Sequence, residues 1–277
     1  MARYNKALTF AQILYDMNLS LAGKTALIGG STQGIGLAIA LELAELGADC
    51  ILMARNEERL AEAKAQLATS LGQVHQTIVA DFSNTEAVKE AIALILKNNR
   101  VDILVNNTGG PPAGPITQAQ AADFLSALNL HLINNHNLAT AVIPGMKEGG
   151  YGRIINVVST SVKIPLANLG VSNTTRAAVA AWAKTMANEV AVHGITVNNV
   201  LPGATATARL SSIISNKAQK INTAQEAVEA EMLHEIPMRR FGQAHEIAAM
   251  AAFLATPAAA YVTGQSICVD GGRTGSI

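Results

Sequence analysis

Residues 29–36 read GGSTQGIG. They close a short apolar run, 24–29, and open a stretch, 34–46, in which apolar residues recur at helical spacing, so the local reading is strand, tight turn, helix. Gly30, Gly34 and Gly36 let the backbone come close to a ligand, and the unshielded N–H groups at a helix start carry partial positive charge. The stretch therefore predicts a site for the pyrophosphate of a dinucleotide, with Ser31, Thr32, Gln33 and Ile35 completing the turn. The same alternation recurs along the chain. Strands are expected at 49–54, 74–80, 101–106, 152–158, 194–200 and 265–272, with helical segments between them. Strands this apolar on both faces belong in a parallel sheet covered by helices, which gives a doubly wound α/β domain. The expected organisation is a preamble over 1–22 and a single domain over 23–277. A polar helical insertion at about 205–236 is placed as a cap over the C-terminal edge of the sheet. In the preamble, Leu8, Ile13, Leu14 and Met17 suggest a short amphipathic helix.

The chain has 277 residues, 20 basic and 20 acidic, so no global field draws it to nucleic acid or to an anionic membrane. Any anion site must be local. Cys50 and Cys268 lie in separate apolar runs and read as free buried thiols. The six histidines show no ligand spacing beside cysteines or carboxylates, so no metal is expected. His131 and His136 read as interface or core-edge residues. With no apolar run near the ~20 residues of a membrane span and no signal-peptide pattern, the expected location is cytoplasmic.

The second strand ends in MARNEERL, where a site selective for NAD would place a carboxylate for the ribose hydroxyls. Here Ala54 is followed by Arg55, whose guanidinium suits a 2′-phosphate, so NADP(H) is favoured over NAD(H). The alternative is a solvated arginine opening a helix. Asp81, in VADFSN, is placed either to bond the adenine amino group or, like Ser83, to cap a helix.

With NNTGG at 106–110, Ser159 in RIINVVSTS, VNNVLPG at 197–203 and YVTGQSICVDGG at 261–272, the chain resembles the short-chain dehydrogenase/reductase family over about 21–272. Within it, the chain is similar to the 3-oxoacyl-(acyl carrier protein) reductases. The resemblance implies a Rossmann-type fold, a homotetramer or homodimer, and interconversion of a small-molecule carbonyl and a secondary alcohol. It adds Phe82, Asn107, Gly109, Pro202, Gly203 and Thr207 to the cofactor side, and assigns Asn129 and Ser159 to the catalytic tetrad. The family also carries a tyrosine thirteen residues beyond the serine and a lysine four further on. Those positions are Ser172 and Arg176 in this chain.

That departure changes the chemistry. A tyrosine, with a pKa near 10, can be drawn down until it exchanges a proton near neutrality, whereas serine is far less acidic and shorter in reach. Arg176 can bond the nicotinamide ribose as the lysine does, yet it stays charged and relays no proton. Tyr4, Tyr15, Tyr151 and Tyr261 all lie away from the expected pocket. Lys163, four residues beyond Ser159, is a candidate proton source if it is desolvated; a solvated loop lysine is the alternative. Three functions follow: a reductase with an altered proton path, a dinucleotide-binding protein without turnover, or a lyase or isomerase on the same fold.

Overall fold

The structure is a computed structural model and describes residues 17–276. The expected preamble helix, with Leu8, Ile13 and Leu14, and two of the tyrosines, Tyr4 and Tyr15, lie outside the described residues. Just after them, Leu21 is fully buried and its N–H donates to the Leu46 carbonyl at 2.7 Å, which ties the start of the described chain to the body.

Seven strands form one sheet in the order β3-β2-β1-β4-β5-β6-β7, every neighbouring pair parallel. They are β1 Thr25–Gly29, β2 Asp49–Ala54, β3 Gln76–Val79, β4 Ile103–Asn106, β5 Gly152–Val157, β6 Ile195–Pro202 and β7 Ser266–Val269. Alternate residues point to opposite faces, so each strand feeds two cores. Ala26, Ile28, Cys50 and Leu52 meet α1 Gly34–Glu45, α2 Glu57–Lys64 and α9 Ala244–Ala255. On the other face Leu27, Ile51, Met53 and Leu104 meet α3 Thr85–Leu96, α5 Asn134–Glu148 and α6 Gly170–Val190. Helix α4, Ala121–Leu128, runs into α5 through a π-helical turn, Asn129–Ile133. Local chemistry sets the helix starts: Asn56 accepts from the Arg59 N–H, and Asn84 from those of Glu86 and Ala87. Asn84, and neither Asp81 nor Ser83, thus caps α3.

A polar thread crosses this apolar sheet. Asn106 Nδ2 donates to Asn156 Oδ1 at 2.9 Å, Asn156 Nδ2 to Asn199 Oδ1 at 3.0 Å, and Asn199 Nδ2 to Ser266 Oγ at 3.0 Å. The ladder links β4 to β7 and fixes their register, because a one-residue slip would bury each amide against an apolar side chain. The strand order reverses between β1 and β4, which opens a crevice at the C-terminal edge. Helices α7 Ala208–Lys220 and α8 Gln225–His234 follow β6 there and close on a small core of their own, Leu210, Ile214, Ala218 and Val228. Cys50 is buried, and burial pushes its thiol up to about 12; Cys268 is also free. No helix among the described residues is long and apolar enough to cross a membrane.

Candidate active site

The residues assigned to the cofactor gather at the C-terminal edge of the sheet, in the loops and helix starts that follow its strands, except Arg176, which comes from α6 Gly170–Val190. After β1, Gly30 and Gly34 both adopt a φ of 57°, and a Cβ on Gly36 would stand 2.2 Å from the Gly30 carbonyl oxygen. Only glycine fits that approach, so the first turn of α1 lies directly on the strand-end loop. Asn107, after β4, locks the loop by donating from Nδ2 to the carbonyls of Gly29 at 3.1 Å and Gly30 at 3.3 Å. Phe82 packs behind Gly29. Gln33 precedes α1 without a side-chain cap, which leaves the helix-start N–H groups open, and Ser31 Oγ is buried with no partner among the described residues. Open N–H donors and a buried orphan hydroxyl on a glycine cradle fit an incoming pyrophosphate.

Arg55 is exposed directly after β2, and its charge reaches Asp81 at the end of β3. Asp81 is held below the ordinary carboxylate range chiefly by hydrogen bonds from Ser83, with Arg55 adding to the effect. Gly203 follows β6 and donates to the Val269 carbonyl at 3.0 Å. Thr207 heads α7 and packs over Gly34, so the loop from Pro202 onward closes on the same turn. Gly109 is exposed, with open space where a Cβ would go. Thr32 and Ile35 are half-buried within the turn.

At the other end of the crevice, Ser159 follows β5. Its Oγ accepts from the Ser161 N–H at 3.1 Å, which leaves its own O–H free to donate. Ser172 and Arg176 lie one turn apart on α6, and both are buried. Arg176 Nη1 donates to the Val157 carbonyl at 3.0 Å, while its Nε has no partner among the described residues. Burial, and then the charge of Arg209, bring the Arg176 guanidinium down to about 10.

Two of the candidate catalytic residues are exposed here. Lys163 ends the 3₁₀ turn Thr160–Val162 with its side chain exposed, so the desolvation its assigned role calls for is missing. Asn129 is exposed at the start of the π-helical turn, while His131, two residues on, is 2 % exposed. His131 was expected at an interface or core edge. Instead its Nδ1 pairs with Thr108 Oγ1 at 2.8 Å, and its Nε2 is buried without a partner among the described residues. Burial first, then the charges of Arg176 and Arg209, push the imidazole down to about 2, so it is neutral.

Sequence reasoning also missed Arg209, on the first turn of α7. It reaches across the crevice, donating to the carbonyls of Gly110 at 3.2 Å and Pro111 at 3.4 Å. The described tyrosines stand clear of this cluster. Tyr151 donates to the Ala255 carbonyl from the start of β5, at the opposite sheet edge, and Tyr261 is fully exposed. Among the described residues no group of three or more His, Cys, Asp or Glu side chains is placed to hold a metal.

A family model described as enoyl-(acyl carrier protein) reductase matches residues 30–274. The NADPH-dependent reductase BacG of Bacillus subtilis is 30% identical over 93% of this chain and 100% of its own length. The 3-oxoacyl-[acyl-carrier-protein] reductase FabG of Chlamydia pneumoniae is 33% identical over the same shares. L-sorbose reductase from Gluconobacter frateurii, solved with NADPH and L-sorbose, superposes with a TM-score of 0.87 at 30% identity, covering 94% of this chain and 100% of that one. With the glycine cradle at the strand crossover and these matches along nearly its whole length, the chain belongs to the short-chain dehydrogenase/reductase family.

Proposed function

We propose that the chain is an NADP(H)-dependent oxidoreductase that interconverts a carbonyl and a secondary alcohol through a proton path without a phenol. The observation that carries this reading is the cradle of Gly30, Gly34 and Gly36 under Asn107, with Arg55 beyond the neighbouring strand and Ser159 across the crevice. The NADPH-dependent relatives support it. NADPH, when bound, supplies the hydride. Pyrophosphate is held by the open N–H groups around Ser31 and Gly34–Gly36, and the 2′-phosphate by Arg55.

Ser159 donates its O–H to the substrate oxygen; the Ser161 N–H takes one lone pair of its Oγ and orients the hydroxyl, and the second lone pair stays open to water. Arg176 keeps its charge at neutral pH and offers a fixed donor to the ribose and to developing negative charge, but passes on no proton. Ser172 lines the pocket; its hydroxyl is too short and too weakly acidic to take over from a phenol. The proton then comes from water held by Ser159, in the volume a tyrosine ring would fill, with Lys163 at the solvent rim as the other possible source. Helices α7 and α8 cap the substrate side, and the assembly is a homodimer or homotetramer.

The test follows NADPH oxidation across 3-oxoacyl thioesters and small ketones for the parent, Ser172→Ala and Lys163→Met. Because a missing general acid removes roughly 10²–10⁴ in rate, slow turnover that survives Ser172→Ala is expected. Turnover abolished by Ser172→Ala and untouched by Lys163→Met refutes this proton path. Tight NADPH binding without turnover on any substrate would instead favour the binding-protein reading, which the absence of a phenol at the described site makes the second choice.

A further inference from the structure

Two cations share one side of the loop after β4. A Cβ built on Gly110 would lie 2.6 Å from Arg209 Nη2 and 3.5 Å from Arg176 Nη2, so both guanidiniums border the same point. Neither forms a salt bridge among the described residues. Arg176 is 9 % exposed, and its Nε is buried with no partner among the described residues. The neighbouring titratable group, His131, is neutral, and its Nε2 likewise has no partner among them. Two like charges held together, one of them buried, cost free energy unless an anion completes them. The carbonyls of Gly110, Pro111 and Val157 satisfy some of their N–H groups but supply no negative charge.

We infer that Arg176 and Arg209 form a subsite for a carboxylate carried by the substrate. This rests on the oxidoreductase reading for its location and sharpens it to a substrate class, the oxo acids and hydroxy acids. A phosphate of the cofactor is the other source of an anion. It is less suited, because the cofactor's phosphates already have receivers in the α1 cradle and at Arg55, whereas the arginine pair borders the loop at Gly110–Pro111, beyond Asn107. Arg209 comes from the first turn of the cap and in this structure latches onto that loop. Exchanging its two carbonyl partners for a carboxylate would draw α7 over the substrate. Guanidinium fits a carboxylate with two parallel N–H bonds, which an ammonium does not reproduce.

The experiment reads binding, not turnover. The protein saturated with NADP⁺ is titrated calorimetrically with a panel of C3–C8 oxo carboxylates, each paired with its primary amide. The parent and the variants Arg209→Gln and Arg209→Lys are compared, with NADPH affinity and melting temperature measured for each. The carboxylates are expected to bind at least tenfold more tightly than their amides. Arg209→Gln should weaken the carboxylates by roughly 10- to 100-fold, the value of a hydrogen bond to a charged group, and erase the preference. It should leave NADPH affinity within about twofold. Arg209→Lys should recover part of the loss. No carboxylate preference in the parent overturns the inference, as does a preference that Arg209→Gln leaves intact. A variant that loses NADPH as strongly as carboxylate assigns the subsite to a cofactor phosphate instead. Carboxylate binding that depends on Arg209 in a protein that reduces no ketone would uphold the subsite and remove the reductase reading, so the two stand or fall separately.

Discussion

Replacing Gly36 by alanine tests whether the turn at 29–36 is held as tightly as its geometry requires. The new Cβ would stand 2.2 Å from the Gly30 oxygen, 2.6 Å from Asn107 Nδ2 and 2.9 Å from the Gly30 carbonyl carbon. Two of these are backbone atoms, so the loop or α1 must move. Overpacking of this kind costs about 1–3 kcal/mol. Displacing Asn107 also weakens its bonds to the carbonyls of Gly29 and Gly30, at about 0.5–1.5 kcal/mol each. The total, about 2–6 kcal/mol, corresponds to a fall in melting temperature of roughly 4–24 °C at about 2–4 °C per kcal/mol for a domain of this size. The same movement re-aims the N–H groups around Ser31, so NADPH affinity should fall by about tenfold or more. Thermal melts and calorimetric titration measure both. Gly109→Ala is the control, because nothing lies within 4 Å of its Cβ position and it should melt within a degree or two of the parent. A Gly36→Ala protein with parental melting temperature and NADPH affinity would refute the cradle.

Two further outcomes follow from the same edge and the sheet beneath it. Arg55→Asp should cost NADPH roughly 10- to 100-fold in affinity through lost charge-assisted bonds and improve NADH, as read by paired titrations; an unchanged ratio of the two affinities would remove Arg55 from the 2′-phosphate site. Asn156→Leu leaves the Asn106 amide and the Asn199 carbonyl oxygen of the ladder unpaired, at about 1–3 kcal/mol each. The urea midpoint should therefore drop clearly, and an unchanged midpoint would show that the ladder is dispensable.

The sheet was legible because its information is local. The strand read at 49–54 is β2, and the run 194–200 is β6 extended to Pro202. Agreement is looser at 265–272, where only Ser266–Val269 is strand, and at 74–80, where only Gln76–Val79 is; the latter edge is largely exposed, so apolar patterning is thin. The nucleotide turn was legible for the same reason: strand, glycines and helix are contiguous. The reacting end was not. Thr108, His131, Arg176 and Arg209 come from four separated segments, and nothing in the sequence of α7 shows that Arg209 crosses to Gly110.

The contrast in burial between Asn129 and His131 follows from helix geometry. Successive residues of an α-helix are rotated by about 100°, so residues two apart face roughly opposite ways. The chain takes a π-helical turn at Asn129–Ile133, whose wider i→i+5 spacing shifts the register between α4 and α5. Within it His131 is buried and pairs with Thr108, where the charges of Arg176 and Arg209 reach it, and Asn129 is exposed. The placement can be read without any substrate. His131 titrates near 6.5 in the unfolded chain but is held down to about 2 when folded. Between those values the unfolded state binds a proton that the folded state refuses, so the stability contributed by the neutral ring is full above about pH 6.5 and is lost progressively as pH falls from there toward about 2. The parent should lose melting temperature between pH 6.5 and pH 4. His131→Asn, with no group to titrate, should give a flatter profile over that range, whereas Asn129→Ala should trace the parent. If the His131→Asn profile overlays the parent's across this window, His131 is not the buried, neutral group at the site, and the register of the π-helical turn has been misassigned.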